Sequence, residues 1–221
     1  MADYHSSLTG PDIDAALTRA KAGGTIDIAL AGKAPAGYGL GTDSTKITDF
    51  NAALTNGFFR SESDSVNGPF DGFIGLVFVH SSYAGATHMV RQDAYRRLSG
   101  GPEHYVRYCI AGTWKEWEYE NPPMLLGVEY RTTERYKGKP VYCKLVDFGK
   151  LPNNTYKDVA HGISNLHLTI SVFGESNGDN LIGNMYITYV NIGSTNIRIK
   201  TNADRSGVGA TVLIKYTKTI D

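Results

Sequence analysis

Two polar loops hold most of the groups in this sequence that could bind a ligand. Residues 174–180 (Gly-Glu-Ser-Asn-Gly-Asp-Asn) and 202–207 (Asn-Ala-Asp-Arg-Ser-Gly) are rich in short side chains that donate and accept hydrogen bonds at once. Sugar hydroxyls need such two-way partners, and the planar fork of Arg205 suits an acidic sugar. Glu175, Asn177, Asp179, Asn180, Asn202, Asp204 and Arg205 are therefore the candidate glycan-binding residues. Taken singly, each reads as a solvated hairpin tip. As a set on loops of a rigid scaffold, they lie where binding usually sits.

Bond-breaking chemistry finds less support. Glycoside hydrolysis needs two facing carboxylates, whereas Asp71, Glu103, Glu175, Asp179 and Asp204 are scattered, and 22 acids offer chance pairs in any fold. There is no Gly-x-Ser-x-Gly nucleophile elbow. Cys109 lies in an alternating segment and reads as a buried thiol rather than a nucleophile. Gly37-Tyr38-Gly39-Leu40-Gly41 is followed by neither a helix nor a Lys-Ser/Thr pair, so it is no phosphate cradle. Metal-ligand spacings of the Cys-x-x-Cys, His-Glu-x-x-His or EF-hand kind do not occur. Asn177-Gly178-Asp179-Asn180 has oxygens suited to calcium, but an ordinary turn requires the same residues. The expectation is a protein that is not an enzyme and holds no metal or cofactor.

Trp114 and Trp117 invite sugar stacking. Their spacing predicts opposite faces of a strand, so at most one points outward and at least one packs in the core. His161 reads as a hydrogen-bonded structural histidine.

Those residues must be positioned by strands. Leu166, Leu168, Ile170 and Val172 alternate with His167, Thr169 and Ser171, and Val212, Ile214 and Tyr216 alternate with polar partners. Period two means strands with one buried face, and several at short spacing mean a sandwich or barrel. Beyond Asn121-Pro122-Pro123, strands are predicted at 125–132, 139–151, 167–173, 184–192, 196–201 and 210–218. Gly/Asn/Asp turns join them, which argues for antiparallel pairing. Ahead of that break, strand-like segments fall at 57–61, 72–80, 88–92 and 104–110, with a short helix over 46–56 and a polar turn at 93–98. Thr9, Pro11 and Asp12 can open a helix over 9–22 that Gly23-Gly24 ends. Its stripe of Ile13, Ala16, Leu17 and Ala20 packs either on the following domain or against copies of itself. The weak connection onward through residues 25–41 favours a trimer seam.

The fold class is thus mostly β with a short N-terminal helix. Residues 1–35 are read as helix and linker for attachment, 36–122 as a small α+β domain, and 123–221 as an antiparallel β-sandwich head. Hydrophobic residues make up 41% of the 221 and charged residues 20%, enough for a packed core and against disorder. Lys+Arg and Asp+Glu both number 22, so the net charge is zero and the footprint of a phosphate-tracking protein is missing; nucleic acid is not an expected partner. No apolar run approaches the roughly twenty residues of a membrane span, and no membrane insertion is expected. The N-terminus lacks the basic and apolar regions of a secretory signal, which predicts synthesis in the cytoplasm. Two cysteines, Cys109 and Cys143, make no disulfide framework and read as thiols in or near the core.

Particular motifs have a familiar cast. Asn56-Gly57-Phe58-Phe59 and Gly112-Thr113-Trp114-Lys115-Glu116-Trp117 open and close a segment from Asp49 to Glu118. That segment resembles the knob domain of R-type pyocin and phage tail fibres, where a Gly-aromatic-aromatic strand begins the unit and a Gly-x-Trp-x-x-Trp strand ends it. Tyr130-Arg131-Thr132-Thr133-Glu134-Arg135-Tyr136, Gly138 to Tyr142, Asp147-Phe148-Gly149 and Ala160-His161-Gly162-Ile163 are similar to terminal modules of phage receptor-binding proteins. Thr9 to Leu17 looks like the opening of such fibre tips. The resemblance implies an intertwined homotrimer in a virion, mounted by its N-terminus on other tail or baseplate proteins. It implies a C-terminal end that meets host surface polysaccharide. The alternative is a structural baseplate or fibre-adaptor protein binding another virion protein. Some phage fibres hold iron through His-x-His pairs; none of the six histidines here forms such a pair.

Overall fold

The computed structural model describes residues 15, 44–82, 89–97, 103–176, 179–181 and 183–220. Apart from Ala15, the predicted N-terminal helix lies outside them, including its seam residues Ile13, Ala16, Leu17 and Ala20. Among the described residues the protein is nearly all β.

The first half is built from β1 (Thr45–Asp49), β2 (Gly57–Val66), β3 (Gly75–Ser81), β4 (Met89–Arg96), β5 (His104–Ile110), β6 (Thr113–Trp114) and β7 (Glu118–Tyr119). β2 to β5 pair in sequence as an antiparallel meander. β1 joins β2 in parallel, with Thr45 opposite Phe59. One face of this sheet is apolar by alternation. Val77, Val79, Val90, Ala94, Tyr105 and Cys109 turn inward and meet Phe50 and Phe73. Phe50, Phe73, Phe70 and Tyr105 pack edge-to-face at 5.5–6.0 Å, the arrangement that aromatic quadrupoles favour. Gly75 lies so near β4 that a Cβ there would collide with the Tyr95 carbonyl.

The helix expected over 46–56 is instead β1 followed by a single 3-10 turn, Phe50–Ala52. Tertiary hydrogen bonds decide this. Ser65 Oγ donates to the Ile47 carbonyl at 2.6 Å. Gln92 Nε2 donates to the carbonyls of Phe50 at 2.7 Å and Ala53 at 2.9 Å, partners that a continuing helix would supply from its own amides. The α+β character expected for this half is thereby corrected among the described residues. The polar turn expected at 93–98 is likewise replaced, because β4 runs to Arg96 with β3 and β5 bonded on both sides.

The second half contributes β8 (Glu129–Tyr136), β9 (Lys139–Lys150), β10 (Tyr156–Ala160), β11 (Leu166–Ser176), β12 (Asp179–Asn180), β13 (Ile187–Ile192), β14 (Asn196–Thr201) and β15 (Gly209–Lys218). β8, β9, β15, β11 and β12 continue the large sheet, which β7 reaches through a parallel pairing of Tyr119 with Thr132. β10, β14 and β13 form a separate three-stranded antiparallel sheet. The two sheets face each other across a core in which Val146, Phe148, Val212, Ile214 and Tyr216 meet Ile197 and Ile199. Leu151, Ile163 and Leu181 belong to the same core.

Both cysteines are buried. Cys143 lies beneath Met124, with the sulfurs 3.8 Å apart. Burial pushes its thiol from the ordinary 9.0 up to about 11. The unfolded thiol therefore loses its proton first as pH rises. The stability tied to this group is intact below pH 9.0 and falls away through about 11. Chemical denaturation across that range should show a shallower alkaline decline for Cys143→Ala than for the parent chain.

Candidate glycan-binding surface

Alternation along β14 places Ile197 and Ile199 in the core and turns Asn196, Arg198 and Lys200 outward. The neighbours in register carry the same outer face. Tyr156 and Tyr189 both lie opposite Lys200, while Asp158 and Asn191 both lie opposite Arg198. Tyr156 is 51% exposed and Tyr189 42%. Their rings meet edge-to-face at 5.9 Å. Lys200 Nζ stands 5.0 Å from the Tyr156 centroid. Arg198 donates through Nε at 2.8 Å and Nη2 at 2.7 Å to the two oxygens of Asp158. That pair holds the exposed Asp158 carboxyl below the usual carboxylate range.

The predicted loop residues fall beside this face in part. Ser176 pairs with Ala210, and Gly209 with Lys150, so the 174–180 and 202–207 loops leave the same end of the large sheet. Glu175 is exposed at the end of β11, opposite the exposed Asn180. Asp179 belongs to β12, and Asn177 lies outside the described residues. Asn202 and Asp204 serve their own surroundings. Asn202 Nδ2 donates to the Met185 carbonyl at 3.4 Å. Asp204 accepts from Ser206 N at 3.0 Å and Oγ at 2.7 Å, which holds its carboxyl below the usual range. Arg205 lies with its guanidinium 4.2 Å from the centroid of Tyr186. The Asn202 amide donates to the Tyr186 carbonyl at 3.1 Å, which ties this stack to the end of β14.

Sequence reasoning missed Tyr156, Asp158, Tyr189, Arg198 and Lys200. The signal for β14 was present in Asn-Ile-Arg-Ile-Lys-Thr, where isoleucine alternates with long cations. β10 gave no such signal. Its inward position opposite Ile199 is Lys157, whose stem covers the core while Nζ donates to the Phe148 carbonyl at 3.0 Å.

Both tryptophans are half-buried and pack against the core of the first half, as expected for at least one of them. β6 ends at Trp114, so strand alternation does not extend to Trp117. Both indoles face Arg107, whose guanidinium carbon lies 4.0 Å from one ring centroid and 4.4 Å from the other. Arg107 is 6% exposed, donates from Nε to Gln92 Oε1 at 3.0 Å, and has a buried Nη2 without a partner. Burial pulls it down to about 10. Arg107→Lys should cost about 2 kcal/mol, read as a lower urea midpoint, because an ammonium cannot lie flat between two indoles.

His161 is fully buried, with Nδ1 accepting from Ile163 N at 3.0 Å and Nε2 facing the Gly193 carbonyl at 3.2 Å. Both ring nitrogens thus bond backbone groups that hold two chain reversals. Among the scattered acids, Glu103 pairs with Arg96 at 3.3 Å and accepts the Tyr105 hydroxyl.

No protein-family model matches this chain, and no curated protein matches it. Two solved structures align with it. One is an N-truncated R2-type pyocin tail fibre, at a TM-score of 0.28 and 11% identity, covering 79% of this chain and 96% of that one. The other is the C-terminal part of a P. aeruginosa R2 pyocin fibre, at the same score and identity, covering 79% of this chain and 65% of that one.

Proposed function

We propose that this protein is a tail-fibre tip of a phage or phage-like particle, a receptor-binding protein that recognises host cell-surface glycan without cleaving it. The observation that carries the binding role is the outer face of the β10–β14–β13 sheet. Two exposed tyrosines, a bidentate Arg198–Asp158 pair, Lys200 and the amide of Asn191 share one rigid surface there. Rigid tyrosines and fixed polar forks bind at low entropic cost. The fibre context is supported by the knob-like motifs at 56–59 and 112–117. In this reading the chain acts as a homotrimer in the virion, attached through its N-terminus to other tail or baseplate proteins, and three weak sites act together. An array of bacterial surface polysaccharides tests it: binding with no change in polymer size is the expected result. Light scattering should give three times 24.1 kDa; a monomer at micromolar concentration would remove the trimer.

A second reading, the structural adaptor, has its own observation. Leu126, Leu145, Leu213 and Phe173 stand directly opposite one another across the outer face of the large sheet. Leu126 is 52% exposed and Phe173 57%. An apolar row of this kind fits a protein partner better than a sugar. Phe173→Glu that abolishes particle assembly while leaving glycan binding intact would favour the adaptor.

A further inference from the structure

We infer that the ligand of the β10–β14–β13 face is an anionic saccharide, one that carries carboxylate or phosphate groups at intervals along its chain. This rests on the glycan-binding reading above and adds the charge class and the residues that read it. The chain as a whole is neutral, so any excess of charge is local. On this face the charge of Arg198 is matched by Asp158 through two short hydrogen bonds. Lys200 and Arg205 are different. Among the described residues neither has a carboxylate within ion-pairing distance, and each is instead held against a tyrosine ring, Lys200 on Tyr156 and Arg205 on Tyr186. A cation fixed over a ring keeps its remaining N–H groups free for an incoming anion while losing little conformational freedom on binding.

The two cation–tyrosine pairs are linked through the C-terminal end of β14. Asn202 follows the end of β14, two residues after Lys200, and its backbone amide holds the Tyr186 carbonyl. The hydroxyls of Tyr156, Tyr186 and Tyr189 bond to no described residue and are available to sugar hydroxyls. A neutral glycan would use the tyrosines and Asn191 but leave both cations without a partner. An anionic glycan satisfies all of them. The face lacks the extended row of cations that tracks nucleic-acid phosphates.

The test uses the full-length protein on an array of neutral, uronic-acid-containing and phosphate-containing bacterial polysaccharides, with single-stranded DNA as a further probe. The parent chain is compared with Lys200→Gln, Arg205→Gln and the double variant, all confirmed folded by an unchanged melting temperature. Expected is binding to one or both acidic classes, weakened about tenfold by each single substitution and further by the pair, and weakened by added salt. The uronic and phosphate arms identify which anion is read. Binding to neutral polymers with no loss in the variants would overturn this inference and leave the glycan-binding role standing. Acidic binding unaffected by the variants would also overturn it, as would equal binding of DNA. No binding to any polysaccharide would remove the glycan role itself and this inference with it.

Discussion

Glu118→Ala is expected to destabilise the folded chain by about 3–5 kcal/mol, the loss typical of removing one partner from a buried ion cluster. The Glu118 side chain is 7% exposed, and one oxygen accepts from Arg131 Nε at 3.1 Å and Arg135 Nη2 at 2.6 Å. Its strand, β7, pairs with β5 through Val106 on one side and with β8 on the other. The two arginines belong to β8. The carboxylate therefore joins strands from either side of the Asn121-Pro122-Pro123 break. Without it, both charge-assisted hydrogen bonds that hold the partly buried β8 arginines to β7 are lost. Glu118→Gln keeps the shape and one acceptor and should lose about half as much. Urea denaturation of the three chains measures this; an alanine variant within about 1 kcal/mol of the parent would show the cluster to be solvated.

The second large effect concerns the 3-10 turn. Phe50 is fully buried, edge-to-face with Phe73 at 6.0 Å and with Trp117 at 5.7 Å. Phe50→Ala should cost about 3–5 kcal/mol, part from lost apolar burial and part from the cavity left behind. The turn is held through backbone carbonyls by Gln92, so it survives the substitution and the cavity cannot collapse fully. Phe50→Leu should recover more than half of the loss. If alanine and leucine behaved alike, aromatic packing would not be what holds β1 to the sheet. Because Trp117 also flanks Arg107, the loss in Phe50→Ala combined with Arg107→Lys should depart from the sum of the single losses.

Particular elements show how far the sequence could be read. β5 and β14 match the predicted segments at both ends, because alternation and flanking turn residues mark them without outside help. β10 was missed because a lysine occupies one of its two inward positions, beside Val159, and hydropathy alone cannot see a buried stem beneath a solvated charge. Phe50, Ala53 and Leu54 suited a helix face as well as a turn. Gln92, far along the chain, supplied the hydrogen bonds that ended the choice. Trp114 and Trp117 were assigned to opposite faces on the assumption of a continuous strand. The chain leaves strand geometry after Trp114, and a buried arginine gathers both rings.

The candidate site divides the same way. Sequence alone determined that this chain is β-rich, neutral overall, with its polar turns concentrated in two late loops, because composition and period two are local properties of neighbouring residues. It also singled out Arg205. Tertiary structure alone decided that Asn202 and Asp204 serve their own surroundings, and that Arg205 stacks on Tyr186. It also placed the densest set of candidate binding groups on a sheet face rather than on a loop. Tyr156, Tyr189 and Lys200 come from three strands and meet only through cross-strand register. Register is set by how two sheets bury their isoleucines and valines against each other, a long-range choice that no short stretch of sequence encodes.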